Sequence, residues 1–234
     1  MPRWIDLNAD VGEGMPTDSQ LLELVTSASI ACGFHAGDPA TMHALCQEAV
    51  ERDVSIGAHV GYRDREGFGR RPRDVPPETI EAETAEQIVT LQEIAGAEGG
   101  RVRYVKLHGA LYDRANADPD CAAAVVRALE RHGRPAVLAF PSSQLIEQAA
   151  AAGLATAAEG FADRGYSADG RLVPRSDPGA ILDETDAVAQ ALRLAQDDSI
   201  RSLCVHGDTP GALDLARRIA QLLRGAGIER RPFA

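Results

Sequence analysis

The sequence predicts one α/β domain built as a closed or nearly closed parallel barrel of seven strand–helix units. Three observations predict it. Short β-branched runs alternate with longer amphipathic stretches along the whole chain, the pattern of parallel strands joined by crossover helices. Helix start signals recur between the runs. Polar segments bearing histidine follow strand after strand, as they do where a parallel fold gathers its working residues on one face. A length of 234 residues suits one such domain with a sizeable core. An open doubly wound sheet is the alternative arrangement.

The strands read as 4–8 (WIDLN), 28–34 (ASIACGF), 54–60 (VSIGAHV), 102–107 (VRYVKL), 136–140 (AVLAF), 154–161 (LATAAEGF) and 202–206 (SLCVH). Asp38-Pro39, Asp118-Pro119 and Thr209-Pro210 each put an N-cap residue before a proline at the first helical position. Thr17 with Gln20 fits a capping box. Gly133 and Gly153 mark the ends of helices near 119–132 and 143–152. Further helices are expected near 78–95, stopped by the GAEGG run at 96–100, and near 210–224. No linker divides residues 1–234, so a single domain is expected. The longest irregular stretch, 62–77, carries five arginines. It reads equally as a solvated loop, or as an anion contact or docking edge.

Composition narrows the function. The net charge of −11 disfavours nucleic acid and anionic membranes as partners. The cysteines at 32, 46, 121 and 204 form no C-x-x-C pair, so neither a zinc knuckle nor a disulfide framework is predicted. No run of about 18 apolar residues exists, and the first residues, MPRWIDLNAD, lack a signal-peptide core. The expected location is the cytoplasm. Of 24 basic residues, Lys106 is the single lysine.

The strand ends carry the candidate chemistry. Asn8, Asp10 and Glu13 follow the first strand, His35 and Asp38 the second, His59 and Tyr62 the third. Lys106, His108 and Tyr112 accompany the fourth. Glu159, Asp163 and Arg164 accompany the sixth, and His206 and Asp208 the seventh. Any one of these can be an ordinary polar loop residue or helix cap; together they predict a functional mouth. Glycines flanking the histidines permit tight turns and close approach to a ligand. The general-base candidates are Asp10, His35, His59 and His108, with Asp10 first. Lys106 and Arg164 suit a carboxylate or phosphoryl group. Further substrate contacts are expected from Asn8, Tyr112, Glu159, His206 and Asp208. A divalent metal on Asp10, His35 and His59 is the alternative use of the same groups. Lys106 and His108 share one strand face, and a buried ammonium calls for a carboxylate, expected to be Asp10 or Asp208.

Six ordered segments carry a resemblance: DLNADVGEG (6–14), SIACGFHAGDP (29–39), GAHVGYRDREGFGRR (57–71), VKLHGALY (105–112), EGFADRGY (159–166) and CVHGDTPGAL (204–213). The chain resembles the LamB/YcsF family, the A-subunit family of 5-oxoprolinase, from about 5 to 228. The resemblance implies a seven-stranded barrel of the glycoside hydrolase/deacetylase kind. It also implies ATP-dependent opening of 5-oxoproline to L-glutamate, with two partner subunits of B and C type. Ser29 replaces the family's usual asparagine, and Val60 and Leu107 replace its prolines; the first removes an amide that can touch substrate or a neighbouring loop. No G-x-x-x-x-G-K-[ST] element is present, so ATP is expected to bind mainly on the partners. Phosphorylation of the lactam oxygen would activate the ring carbon for water. A stand-alone metal-dependent deacetylase or amidohydrolase, and a non-catalytic subunit that captures a small carboxylate, stand as alternatives.

Overall fold

A computed structural model describes residues 3–168, 170–209 and 211–234. The strands are β1 (Trp4–Val11), β2 (Ser27–Ala31), β3 (Ser55–Val60), β4 (Val102–Leu107), β5 (Ala136–Ala139), β6 (Thr156–Phe161), β7 (Ser202–His206) and a short β8 (Glu229–Arg230). They run in the order β2-β3-β4-β5-β6-β7-β1, all parallel, and β1 pairs back onto β2. The sheet therefore closes into a seven-stranded barrel, with β8 hanging on the start of β1.

Among the described residues eight helices wrap it: α1 (Asp18–Leu22), α2 (Pro39–Glu51), α3 (Pro77–Ala97), α4 (Gly109–Ala117), α5 (Pro119–Arg131), α6 (Gln144–Ala151), α7 (Glu184–Gln196) and α8 (Ala212–Gly225). The capping chemistry accounts for several boundaries. Asp38 accepts from the Thr41 amide at 2.9 Å, and Asp118 from the Asp120 amide at 3.0 Å. Gly133 (φ 87°) and Gly153 (φ 70°) stop their helices in the left-handed region.

Two cap expectations fail. Thr17 makes no side-chain cap bond; its neighbour Asp18 instead folds back to accept the Gly12 amide at 2.8 Å. Helix α8 begins at Ala212 behind Gly211 (φ 79°), not at a Thr209 cap. The Thr209 hydroxyl is spent on Asp163, and Pro210 lies outside the described residues. The sequence patterns located neither α4 nor α7, although Asp183 caps α7 by accepting from the Asp186 amide at 2.9 Å.

Strand β1 shows why the barrel has chemistry inside it. Ile5, Leu7, Ala9 and Val11 pack into the large core between sheet and helices, where the larger ones contribute about 1.5–3 kcal/mol each. The alternate residues Asp6, Asn8 and Asp10 point the other way and are buried in the barrel. A small apolar plug of Tyr104, Ala136, Leu138 and Ala157, with Phe233 against it, fills the end near the strand starts. Above it Asp6 accepts from Thr26 Oγ1 at 2.6 Å, Ser27 Oγ at 2.7 Å and Ser202 Oγ. Burial pushes Asp6 up to about 6 even so. Asn8 donates to Ser202 Oγ at 2.7 Å. Interior polarity thus rises toward the carboxyl ends of the strands.

Candidate active site

At the carboxyl ends the floor is built on Lys106. Its ammonium is 2.9 Å from Asp10 Oδ1, 3.0 Å from Glu159 Oε2, 3.2 Å from Asn8 Oδ1 and 3.0 Å from Cys204 Sγ. Burial disfavours the charge, but Asp10 foremost outweighs it and holds Lys106 well above an ordinary lysine. Burial also opposes ionisation of Asp10; Lys106 and His206 overcome that and leave Asp10 below the usual carboxylate range. Glu159 is the opposite case: burial raises it, and Lys106 offsets this only in part. Burial, then Glu159, push the Tyr112 phenol well above its ordinary value, so it stays neutral.

Beside the floor lie three histidines round Glu13. Glu13 Oε1 is 3.1 Å from His35 Nε2, 3.2 Å from His108 Nδ1 and 3.5 Å from His59 Nε2. Burial opposes the Glu13 charge, but His108 and His35 overcome it and hold the carboxyl far below its usual range. His35 stacks on His108 with centroids 3.9 Å apart, and His59 stands edge-on to both. Burial lowers His35 and His59, the latter strongly, so both are neutral imidazoles.

The arginine-rich stretch is the roof of this cluster. Arg65 donates to the carbonyls of Gly33 and Gly37, Arg63 pairs with Glu86 at 2.9 Å, and Arg71 lies 3.5 Å from Asp64. The turn so fixed puts Phe68 at φ 53° and Gly69 at φ 64°, the left-handed region that L residues rarely adopt. The Phe68 carbonyl then accepts from His108 Nε2 at 2.8 Å. A Cβ on Gly69 would fall 2.9 Å from the His35 Cβ. Most of the run is therefore spent within the fold, and Arg70 alone of the five reaches the cavity.

A cavity of about 330 Å³ opens over the floor. Asp10, His59, Lys106, His108 and His206 line its base; Tyr112 and Asp113 of α4 form one side; Arg70, Arg164 and Arg175 stand round the rest. His206 Nδ1 is 2.9 Å from Asp163 Oδ1 and donates to it. Thr209 Oγ1 donates to the other oxygen at 3.0 Å. Burial opposes ionisation of Asp163, yet His206 holds it below the ordinary range. The pairing leaves His206 Nε2 free to face the cavity, where the residue is half-buried. Arg164 carries the loop that forms the far wall: its Nε donates to Ala180 O at 3.0 Å and its Nη2 to Val173 O at 2.7 Å.

The structure thus brings Asp10, His59, Lys106, His108, Tyr112, Arg164 and His206 to one cavity. Four candidates stand elsewhere. Asn8 and Glu159 are fully buried under the floor and act on Lys106, not on a ligand. His35 is sealed behind His108. Asp208 does not pair with Lys106: it is bound by Arg70 and lies 3.6 Å from Arg175 at the rim, and Glu159 takes the place expected for it. Ser29 shares a hydrogen bond of 3.1 Å with the Tyr104 hydroxyl in the barrel interior, so its replacement of asparagine does not alter the cavity wall. Asp10 is a poor base, because its charge is tied to Lys106.

Of the alternative metal set, Asp10 Oδ2 and His59 Nε2 lie 3.5 Å apart, while the other groups have partners of their own. Asp10 Oδ1 is held by Lys106, and His35 Nε2 faces Glu13. Asp10, Cys204 and His206 also approach one another, but the Lys106 ammonium sits among them and repels a cation. Sequence patterns assigned no role to Glu13, Asp163, Asp113 or Phe68. Glu13 had a signal, since it falls near the end of the acid-rich DLNADVGEG segment; Asp163 pairs across 43 residues, which no local pattern reveals.

Comparison with known proteins fits this architecture. The LamB/YcsF family model matches residues 5–234. The chain belongs to the LamB/YcsF family. It is 49% identical to the 5-oxoprolinase A subunit of Streptomyces griseus over 98% of this chain and 100% of that one. The counterpart in Nocardia farcinica is 48% identical over 96% of this chain and 97% of its own. The lactam utilization protein of Thermus thermophilus superposes with a TM-score of 0.89 at 35% identity, covering 98% of this chain and 100% of that one. A peptidoglycan N-acetylglucosamine deacetylase domain from Eubacterium rectale superposes at 0.60 with 13% identity, over 100% of this chain and 90% of its own. That likeness concerns the fold alone. Among the described residues no helix is long and apolar enough to cross a membrane.

Proposed function

We propose that this chain is the lactam-handling A subunit of an ATP-dependent 5-oxoprolinase, acting with B- and C-type partners that bind most of the ATP. The observation that carries the reading is the Asp163–His206 pair, whose free Nε2 faces a small cavity ringed by arginines. The full-length likeness to proteins named as the A subunit of 5-oxoprolinase supports it.

The chemistry follows from what a lactam needs. Its carbonyl is a poor electrophile, and transfer of the ATP γ-phosphoryl to the lactam oxygen activates the ring carbon. Water then adds to that carbon and gives its proton to His206 Nε2, with Asp163 stabilising the imidazolium. The resulting tetrahedral carbon bears hydroxyl, phosphoryl oxygen and nitrogen. Expelling phosphate at this point merely restores the lactam. Productive collapse breaks the C–N bond: the hydroxyl oxygen becomes the acyl carbonyl and releases its proton to water, and the nitrogen takes its proton from the His206 imidazolium. The open-chain acyl phosphate then loses phosphate to water and yields glutamate. Arg70, Arg164 and Arg175 supply positive charge for the carboxylate and phosphoryl groups. Lys106, held charged by two carboxylates, faces the negative charge that develops on the oxygens of the tetrahedral carbon.

Glutamate release from 5-oxoproline tests the reading. Turnover is expected with ATP and both partners together, and none from this chain alone. Robust turnover by the purified chain without partners, or a complete system that is inert, would overturn it.

A further inference from the structure

The Glu13 cluster takes no part in the ring-opening steps, and the hydrogen bond from His35 accounts for only part of its geometry. His59 Nδ1 faces the Lys106 carbonyl at 3.3 Å. A carbonyl only accepts, so that nitrogen carries the hydrogen and Nε2 of the neutral ring bears a lone pair. His108 Nε2 faces the Phe68 carbonyl at 2.8 Å, which by the same reasoning bares its Nδ1. The two bare nitrogens lie 3.0 Å apart. Glu13 Oε1 is 3.2 Å from one and 3.5 Å from the other. With both rings neutral, the three atoms face one another with no hydrogen between any two of them, and the one hydrogen that reaches Glu13 Oε1 comes from His35.

We propose that Glu13, His59 and His108 form a binding site for a divalent transition-metal ion, with a remaining position open to the cavity. A cation at the centre removes the repulsion. Ligands about 2.0–2.1 Å from a tetrahedral ion sit about 3.3 Å from one another, close to the spacings in this cluster. A backbone carbonyl on the far nitrogen of each imidazole is the usual orienting partner of a metal-bound histidine. His35 is not a ligand. Its ring lies 3.9 Å from that of His108 at 4°, and an ion in the plane of one stacked ring is out of the plane of the other. His35 instead donates from Nε2 to Glu13 Oε1 at 3.1 Å, leaving a sealed Nδ1 with no partner. Two imidazoles and a carboxylate suit Zn²⁺ and its neighbours. His59 and His108 line the cavity, so a bound ion would polarise an oxygen held there. The rival occupant is a proton on His108, shared with His59 and Glu13. The inference stands on this geometry and does not depend on the lactam reading.

The test uses the full chain purified without chelator, its metal content measured by plasma mass spectrometry, then stripped and titrated with Zn²⁺ and Co²⁺. One equivalent of tightly bound metal per chain is expected, with visible Co²⁺ ligand-field bands. Glu13→Gln and His108→Gln should weaken binding about 10²-fold or more, and His35→Gln about 10–100-fold, as for an outer partner. His43→Gln, on the surface, should change nothing. Circular dichroism establishes which variants fold, and the wild-type titration decides independently of them. A wild-type chain that binds neither ion stoichiometrically overturns the site. So does unchanged affinity in folded Glu13→Gln and His108→Gln, or nitrogen NMR showing His108 doubly protonated at neutral pH under excess metal. Metal bound as expected beside an absence of glutamate formation counts against the lactam reading alone.

Discussion

Asp163 accepts the Nδ1 hydrogen of His206 at 2.9 Å while itself closed to solvent. The pair fixes the tautomer of His206, so the two residues should fail together. Asp163→Asn and His206→Gln are each expected to lower kcat by about 10²–10⁴-fold in the complete system. The double variant should lose little more than either single one. Additive losses, measured as kcat under saturating substrate, would show that they do not act as a unit.

Lys106 holds two buried carboxylates, and removing it strands both. Lys106→Met should cost about 3–5 kcal/mol of unfolding free energy. Glu159→Gln should cost under about 1 kcal/mol, because Lys106 keeps Asp10 and the floor loses only the carboxyl most easily protonated. Lys106→Arg keeps the charge but should lower turnover about 10²-fold, since a guanidinium does not fit a space shaped for an ammonium. Urea titrations of Lys106→Met and Glu159→Gln against wild type check the ranking, and equal costs would refute it; turnover of Lys106→Arg in the complete system checks the third expectation.

Asp6 makes a pH prediction whose sign is unusual for a carboxylate. Its folded pKa is about 6 against 3.8 for an ordinary aspartate, and burial is the cause. The folded state therefore holds the proton more tightly, and stability falls as pH rises from about 4 to about 6. The loss is on the order of 3 kcal/mol. Asp6→Asn should remove that part of the slope. Urea unfolding at about pH 4.5 and about pH 7 reads it as the difference between variant and wild type. An identical pH dependence in both would rule Asp6 out as the source.

Gly69 tests the roof. With φ 64° and a prospective Cβ 2.9 Å from His35 and 3.0 Å from His108, Gly69→Ala strains the backbone and crowds two histidines. A loss of about 1–3 kcal/mol is expected, seen as a lowered melting temperature. A melting curve that overlays wild type would mean the turn relaxes freely.

Much of this was legible in the sequence. The alternation of apolar runs and capped helices located the seven barrel strands, and Asp38, Asp118, Gly133 and Gly153 marked true helix boundaries. The single lysine among 24 basic residues singled out the centre of the floor. Two kinds of fact were hidden. Thr17 and Thr209 match cap patterns, but tertiary contacts of Asp18 and Asp163 redirect the local hydrogen bonds. Depth was hidden too. Asn8 and Glu159 lie inside β1 and β6, short of the strand ends, and His35 lies beyond β2, so closure of the barrel places them below or behind the cavity surface. The arginine run read equally as a solvated loop or as an anion contact or docking edge, because its acceptors, the carbonyls of Gly33 and Gly37 and the Glu86 carboxylate, are distant in sequence.

The far wall of the cavity hangs on Arg164, whose two hydrogen bonds reach Val173 and Ala180 on separate arms of one loop. The floor belongs to the strands and cannot shift without disturbing the barrel. The wall segment 172–174 makes no such demand. Substitutions there can widen or narrow the space for a ring substituent while every ionised group below keeps its partners. Selectivity and reactivity are thereby inherited separately, and a relative accepting a bulkier ligand in this cavity should differ in that hanging segment before it differs in Asp10, Lys106 or His206.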